Sequence, residues 1–454
     1  MKQVVRGLLL SALAISSAGA KVYGDRTFLN HRDEGSDAAL DFAGNNHFCA
    51  KANDNNLGAT IMVSPFYSKT NNNEDIAKWF GQGTTGKITV AKSTTAKSGD
   101  FEGSDIDHSP TTDYQALTEL PMYGTVSLKP ERVAYGARLS WNQSLDSLLP
   151  GLCFHVNTPL VQANTNMNMS VSGTASASPA NSGGAGKGLA DFFGGSLTKT
   201  LGTTNKHVKQ AALSKAKLST KKQGKFSVGD VNVGFGWNFF NRKKFSANLG
   251  VNLVVPTGNS ATGEWVFEPM VGNGGHTMLG ASLGANFKAV CKKNLQVALK
   301  AVADWRYGFE ATVKRTIGVG HNTGTVADSS SHYTMGMEHK VSGVFPLANV
   351  LTKDCNVTLG HQVDAVVALA GTFRGIKFDL GYNLFAREAE KVELKDKQWT
   401  DDKYAYADRL YSMSSDALGT TFLGGVPTGV TMDGTYNDTT TPVAKHQHVI
   451  GANG

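Results

Sequence analysis

The sequence has no long hydrophobic run after its first twenty residues. Glycine, asparagine, aspartate or lysine interrupts every later stretch that approaches the roughly 18 apolar residues required by a membrane-spanning helix. This excludes a helical membrane protein. Because every backbone N–H and C=O must be paired internally in lipid, a closed β-barrel is the only integral-membrane architecture left open.

Cysteine is also scarce. The four cysteines, Cys49, Cys153, Cys291 and Cys355, are far apart and form no C-x-x-C pair, which excludes a disulfide framework and a cysteine-based zinc site. One or two bridges are compatible with an oxidising compartment. The 51 glycines and the hydrophobic share of 40% fit a barrel wall with one face in contact with water, but they fit a soluble β-rich secreted protein equally well.

The N-terminus predicts export. Lys2 and Arg6 precede an apolar run from Leu8 to Ile15, and Ala18-Gly19-Ala20 fits the A-x-A cleavage pattern. We therefore expect residues 1–20 to be a cleaved signal peptide; a short buried helix is the alternative. In an exported chain, the net charge of +7 favours a cationic channel interior or an anionic lipopolysaccharide partner, and not nucleic acid.

Alternation with a period of two is the main structural signal, because a barrel strand points successive side chains to lipid and to the lumen. In FSVGDVNVGFGWNFF and the run after the Asn241–Lys244 turn, apolar residues occupy one face and Gly, Asn and Ser the other. We predict one hairpin here, with these lipid-facing residues: Val231, Val233, Phe235, Trp237, Leu249, Val251 and Leu253.

The same alternation recurs at 279–287, 295–307, 133–141 and 376–384, with a strand around 152–161 and weaker ones near 58–67 and 355–370. Short turns at 241–244 and 291–294 alternate with long polar stretches, as in barrels with short periplasmic turns and long extracellular loops. The long stretches are 69–120, 170–224, 257–275, 310–331 and 388–442.

These patterns predict an all-β fold, a transmembrane antiparallel β-barrel of about 12 to 16 strands with long extracellular loops. We divide the chain into a signal peptide (1–20), an N-terminal segment (21–57) and the barrel (58–454). Between 331 and 375 two rival turns, LANVLTKDC and GTFRG, cannot both be periplasmic. The lysine-rich end of 170–224 shows faint helical spacing of Val208, Ala211 and Leu213, so that a plug helix competes with a surface loop.

Residues 443–454 resemble the opening of a further strand but end in glycine, without the terminal aromatic usual for bacterial barrels. We therefore expect a truncated sequence or a missing last strand. With the signal peptide, the Gly-Asn-aromatic strands, VPTGNSATGEWVFEPMVGNGGHTMLGASLG and GIKFDLGYNLFARE, the chain resembles the Gram-negative outer-membrane porin and channel superfamily over about residues 120–390. The resemblance implies a monomeric or trimeric barrel that passes small solutes.

Charged residues on the polar face are the candidate site, because rings of charge set ion preference in pores. The pore-lining candidates are Arg138, Lys288, Lys300, Asp304, Arg306, Lys377 and Asp379. Cations outnumber acids in this set, which predicts a mild preference for anions. In a plugged barrel the same residues would instead be paired structural charges.

No motif predicts catalysis, a cofactor or a metal. The segment 81–88 nearly matches a phosphate-binding loop, but Ile88 replaces the Ser or Thr that would hold Mg²⁺. His446 and His448 share a strand face without further ligands, and His361, Asp364 and Asp379 have no spacing that marks a catalytic group.

We expect a non-enzymatic outer-membrane channel with lipid, lipopolysaccharide and small solutes as partners. A structural or adhesive surface barrel is the alternative, and a barrel enzyme is a weaker one.

Overall fold

The computed structural model describes residues 27–39, 58–81, 85–91, 106–107, 124–172, 189–203, 206–292, 295–317, 331–333, 335–338, 345–374, 376–395, 399 and 403–406. The predicted signal peptide, His446, His448 and the chain end from 443 to 454 lie outside these residues. The described chain is mostly antiparallel β, and its main sheet curls into a half-barrel.

Ten strands form the main sheet. They are β1 (Ala59–Lys69), β2 (Glu131–Ser144), β3 (Leu152–Asn166), β4 (Gln223–Val228), β5 (Val231–Asn241), β6 (Phe245–Val255), β7 (Met278–Lys292), β8 (Leu295–Gly308), β9 (Gly360–Phe373) and β10 (Ile376–Arg387). Every pairing is antiparallel, in the order β1-β2-β3-β5-β6-β7-β8-β9-β10, with β4 also paired to β3. Every predicted strand contributes to this sheet, but the run predicted near 355–370 is divided: Thr352–Thr358 lies in a separate sheet, and Gly360–Phe373 is β9. The total of 12 to 16 strands stays a prediction.

The run predicted as one strand over 226–240 is broken at Gly229–Asp230. Its two parts, β4 and β5, pair with successive halves of β3, on either side of Pro159. Proline has no N–H to donate to a ladder, and a Cβ at Gly229 would lie 2.5 Å from the Pro159 ring. The interruption of β3's partner therefore follows from the proline opposite it.

Four short connections lie at one end of the main sheet. They link β2 to β3, β5 to β6, β7 to β8 and β9 to β10. The last of them lies within GTFRG, because β9 ends at Phe373 and β10 begins at Ile376. Of the two rival turns, GTFRG is therefore the one at the end of the main sheet with the short connections. The segment ANVL is instead a short helix, Ala348–Leu351, followed by the strand Thr352–Thr358 in a separate sheet.

The long connections, which all leave the opposite end, contain further secondary structure. Their helices are α1 (Asn73–Phe80), α2 (Leu189–Gly194) and α3 (Ala348–Leu351), with 3-10 turns at Glu34–Ser36, which precedes β1, and Ser331–Tyr333. Their strands, together with those that follow β10, form small sheets: Lys87–Ala91, Ile106–Asp107, Gly124–Ser127 and Ser170–Ser172; Lys199–Thr203 and Lys206–Gln210; Ala311–Thr316, Thr352–Thr358 and Lys391–Leu394; Met335–Glu338, Phe345–Pro346 and Tyr404–Tyr406.

Residues from these connections pack into one apolar core, which we call the cap. Its centre contains Phe192, Phe193, Ile88, Leu213 and Tyr333, each at most 2% exposed. The Tyr333 hydroxyl donates to the Ala216 carbonyl at 2.8 Å. The plug helix considered as one alternative for Val208 to Leu213 is wrong: Lys206–Gln210 is a strand, and Leu213 lies in the cap core.

The connection between β6 and β7 is ordered around Asp230. The Asp230 carboxylate accepts hydrogen bonds from the backbone N–H groups of Gly258 and Asn273, at 2.9 and 2.8 Å. Gly272 has φ +84°, and a Cβ there would lie 2.5 Å from Asp230 Oδ1. The interruption between β4 and β5 thus supplies the acceptor that folds this loop.

Candidate functional site

The two faces of the main sheet differ sharply in polarity. The inner face carries mostly Gly, Asn and Ser with a few charges, as the alternation predicts. Buried polar residues on it include Ser140, Asn142, Asn157, Asn232, Asn248, Asn252 and Ser282. Buried polar groups are costly unless they find hydrogen-bond partners, so a face built this way suits water or polar groups and not an apolar core.

Glycines on neighbouring strands give the inner amides room to lie along the wall. Asn252 of β6 lies beside Gly234 of β5, where a Cβ would collide with its amide oxygen. The same oxygen is 3.0 Å from His155 Nε2 on β3. Asn248 covers Gly284 of β7 in the same way. The alternation of Gly with Asn therefore produces a flat polar lining.

Residues 27–39, which we call the inner segment, cross this face. Arg32 forms ion pairs with Asp37, at 2.7 Å, and with Asp364 of β9, and its guanidinium donates to Asn383 Oδ1 of β10 at 2.7 Å. The Ala38 N–H also donates to Asp364, at 2.9 Å. Ala38 is fully buried against Val302, Val366 and Ala368, whose side chains lie on the inner face of β8 and β9.

The inner segment also contacts the opposite part of the sheet. Glu34 pairs with Arg132 of β2 at 2.7 Å, and Arg138 donates to the Asp37 carbonyl at 3.5 Å. Trp79 of α1 donates to the Phe28 carbonyl at 2.8 Å, which ties the segment to the cap. The segment therefore runs from β2 across to β9 and β10.

A cavity of about 340 Å³ lies where the inner segment meets β1 and α1. Its walls include Leu29, Phe66, Ile76, Phe267 and Arg132. The Arg132 guanidinium is already paired with Glu34, and Lys69 at the rim pairs with Glu131 at 2.7 Å. These charges are neutralised within the protein.

The predicted pore-lining charges occupy the inner face in two different states. Arg138, Asp304 and Arg306 are almost completely buried, and Arg306 pairs with Asp304 at 3.4 Å. Lys300 is half-buried, whereas Lys288 and Asp379 are exposed near the end with the short turns. The side chain of Lys377 lies outside the described residues. Arg306 and Asp304 thus form an ion pair, as in the alternative in which these residues are paired structural charges.

Sequence reasoning missed Arg32, Glu34 and Asp37. Their only signal is a local cluster of charges, His31 to Glu34. Cys153, on the inner face of β3, is disulfide-bonded to a partner outside the described residues, while Cys291 and Cys355 are free thiols.

The outer face is apolar and exposed. The predicted lipid-facing residues Phe235, Trp237, Leu249, Val251 and Leu253 are 42–54% exposed, and Val231 and Val233 are partly buried. Exposed apolar residues continue across the sheet, from Ile61 and Val63 on β1 through Leu283, Leu299 and Leu369 to Leu380 on β10. A contiguous apolar patch of this extent is rare on a soluble monomer.

Aromatic side chains mark both ends of the outer face. Trp237, Phe239 and Phe245 lie near the short turns, whereas Tyr135 and Trp305 lie toward the long connections. Trp305 donates to His361 Nδ1 at 3.2 Å. Two such girdles at membrane interfaces are typical of transmembrane barrels.

The candidate catalytic residues do not come together. His361 lies on the outer face of β9 and Asp364 on the inner face, because residues three apart in a strand point to opposite sides. Lys87 and Ile88 begin a strand, not the helix that follows a phosphate-binding loop. Within the described ranges, no group of three or more His, Cys, Asp or Glu side chains could hold a metal ion.

None of the described helices is both long and apolar enough to cross a membrane. The chain matches no protein-family model and no curated protein sequence.

Proposed function

We propose that the chain is a porin-like channel of the Gram-negative outer membrane that lets small solutes pass. The observation that carries the proposal is the division of the main sheet into an exposed apolar outer face and a polar inner face. Such a division suits a wall between lipid and water. In a soluble protein, this apolar outer face would be in contact with water.

The length of the strands supports the same proposal. Phe245 to Val255 in β6 comprises ten residue steps, which span about 34 Å at about 3.4 Å each. At the tilt of about 40° usual for barrels this corresponds to about 26 Å along the barrel axis, close to the apolar band of about 25 Å on outer-membrane barrels. The outer face of β6 is apolar over the whole of this length.

A structural or adhesive barrel is the second candidate, because the inner segment crosses the face that would line a passage. An anchoring barrel requires no passage and gains rigidity from such a segment. The packing of the long connections into the cap fits either candidate.

Conductance of refolded protein in a planar lipid bilayer separates the two. A channel gives defined current steps, and the excess of Arg138, Arg306, Lys288 and Lys300 over the described acids on the lining predicts a reversal potential displaced toward anions in a salt gradient. Cation selectivity would contradict the predicted role of these residues. Bilayer insertion without steps, in wild-type protein and in variants with a released inner segment, would favour the anchor.

A further inference from the structure

We propose that the inner segment is a gate that closes the passage, and that the contact between Arg32 and Asp364 is its latch. This inference rests on the proposed channel function. Two observations lead to it: the segment crosses the whole inner face, and it is held there by side-chain contacts.

The inner segment has no strand pairing with the wall. Its regular elements are the 3-10 turn Glu34–Ser36 and the helical residues Ala38 and Ala39, and none of them belongs to a sheet of the described chain. A strand added to a sheet is held by a ladder of backbone hydrogen bonds, and release would break all of them together. Here release requires the separation of a few charged and polar contacts.

Those contacts concentrate at Asp364. Its carboxylate receives the Arg32 guanidinium and the Ala38 N–H on one oxygen and the Asn383 amide on the other. Its side chain is 1% exposed. Removal of one partner of a buried ion pair leaves an uncompensated charge, which destabilises the state that buries it. Loss of Arg32 leaves the Asp364 carboxylate in this condition in the closed state. Neutralised Asp364 removes one of the two carboxylates that pair with Arg32, the other being Asp37, and thus also favours the state in which Arg32 is hydrated.

The apolar part of the contact near the latch is small. Ala38 and Ala39 pack against Val302, Val366 and Ala368, so release at this end of the segment exposes little apolar surface. The other end stays attached to the cap, because Leu29 packs against the cap core. Water can replace the polar contacts of Arg32 and Asp364 once the alanines move away, so closure at β9 depends on the latch more than on hydrophobic burial.

The test compares Asp364→Asn with Asp354→Asn. Both variants remove the acid of an ion pair, but Asp354 lies on the strand Thr352–Thr358, outside the main sheet, where it pairs with Lys314 at 2.8 Å. In planar bilayers we expect Arg32→Gln to raise the open probability by roughly tenfold or more, because the buried Asp364 carboxylate loses its ionic partner. Asp364→Asn should raise it as well, since only Asp37 then pairs with Arg32. Asp354→Asn should leave the open probability unchanged. Because Arg32→Gln and Asp364→Asn break the same contact from its two sides, the test does not depend on the folding of a single variant.

A second measurement follows the segment itself. Ala368 is 3% exposed beneath Ala38, so Ala368→Cys in a Cys291→Ser background should react slowly with a water-soluble thiol reagent. Adding Asp364→Asn should speed this reaction by a factor similar to the rise in open probability.

Equal reaction rates and equal open probabilities with and without Asp364→Asn would overturn the gate. Full conductance of the wild-type chain with Ala368→Cys still protected would overturn it as well. Faster reaction without any current would support the latch and refute the passage, so failure of the gate and failure of the channel function give different results.

Discussion

A depth series of arginines along β6 tests whether the outer face meets lipid. Val251 is 54% exposed in the middle of the strand, and Val255 is 38% exposed at its end. Both are valines on the same face, so Val251→Arg and Val255→Arg differ mainly in height. Neither substitution removes a core residue, which keeps the packing contribution small.

The expected energies follow from the spacing of the two positions. Four residue steps of about 3.4 Å at a tilt of about 40° place them about 10 Å apart along the barrel axis. Arginine on the lipid face costs about 2–4 kcal/mol at the bilayer midplane and about 0–1 kcal/mol near the interface. We therefore expect Val251→Arg to be less stable than Val255→Arg by about 2–3 kcal/mol.

The assay is guanidinium unfolding of protein refolded into lipid vesicles, followed by intrinsic tryptophan fluorescence. On a water-exposed surface, substitutions usually change stability by no more than about 0.5 kcal/mol. If the two variants unfold at the same denaturant concentration as wild type, the outer face does not lie in a bilayer. A destabilisation that is larger at Val255 would reverse the assigned depth and refute the placement of β6.

Two further predictions concern the cap and its loop. Burial lowers the pKa of His332 to about 3. Because the same histidine titrates near 6.5 in the unfolded chain, the folded cap loses stability as pH falls below about 6.5, by about 2 kcal/mol at pH 5. Amide exchange of the cap should show this loss in wild type and less of it in His332→Phe; an identical pH dependence would contradict the cause. Gly272→Ala should destabilise the loop around Asp230 by about 1–3 kcal/mol, seen as faster exchange of the Gly258 and Asn273 amides. Gly274→Ala, with a similar φ of +75° and no atom nearer than 3.8 Å, should do less, and equal effects would mean that backbone strain alone is responsible.

The strands of the main sheet could be predicted because the alternation that indicates a strand lies within that strand. Alternation in β5 to β8 depends only on residues two apart, and the assignment of faces followed directly from it. The interruption at Gly229–Asp230 was missed because its cause, Pro159, lies on another strand some seventy positions earlier in the chain.

The inner segment and the cap could not be predicted for a related reason. Arg32 and Asp364 are 332 positions apart, and no local pattern connects them. The cap core takes Ile88, Phe193 and Tyr333 from three different connections, each of which contains too few apolar residues to show a period. Local periodicity predicts the strands of the main sheet. Contacts between distant charges and between scattered apolar residues can be seen only in the folded chain.

The unequal ends of the main sheet have a consequence for the membrane insertion that we propose. The four short turns carry few residues, so little polar material has to cross the hydrocarbon at that end. The cap, in contrast, contains a folded apolar core and ion pairs such as Lys217 with Glu264. Transfer of the cap through lipid would remove the water that hydrates its charged groups. Insertion into preformed vesicles should therefore proceed with the turns leading, and protease added outside should reach the cap in nearly every copy.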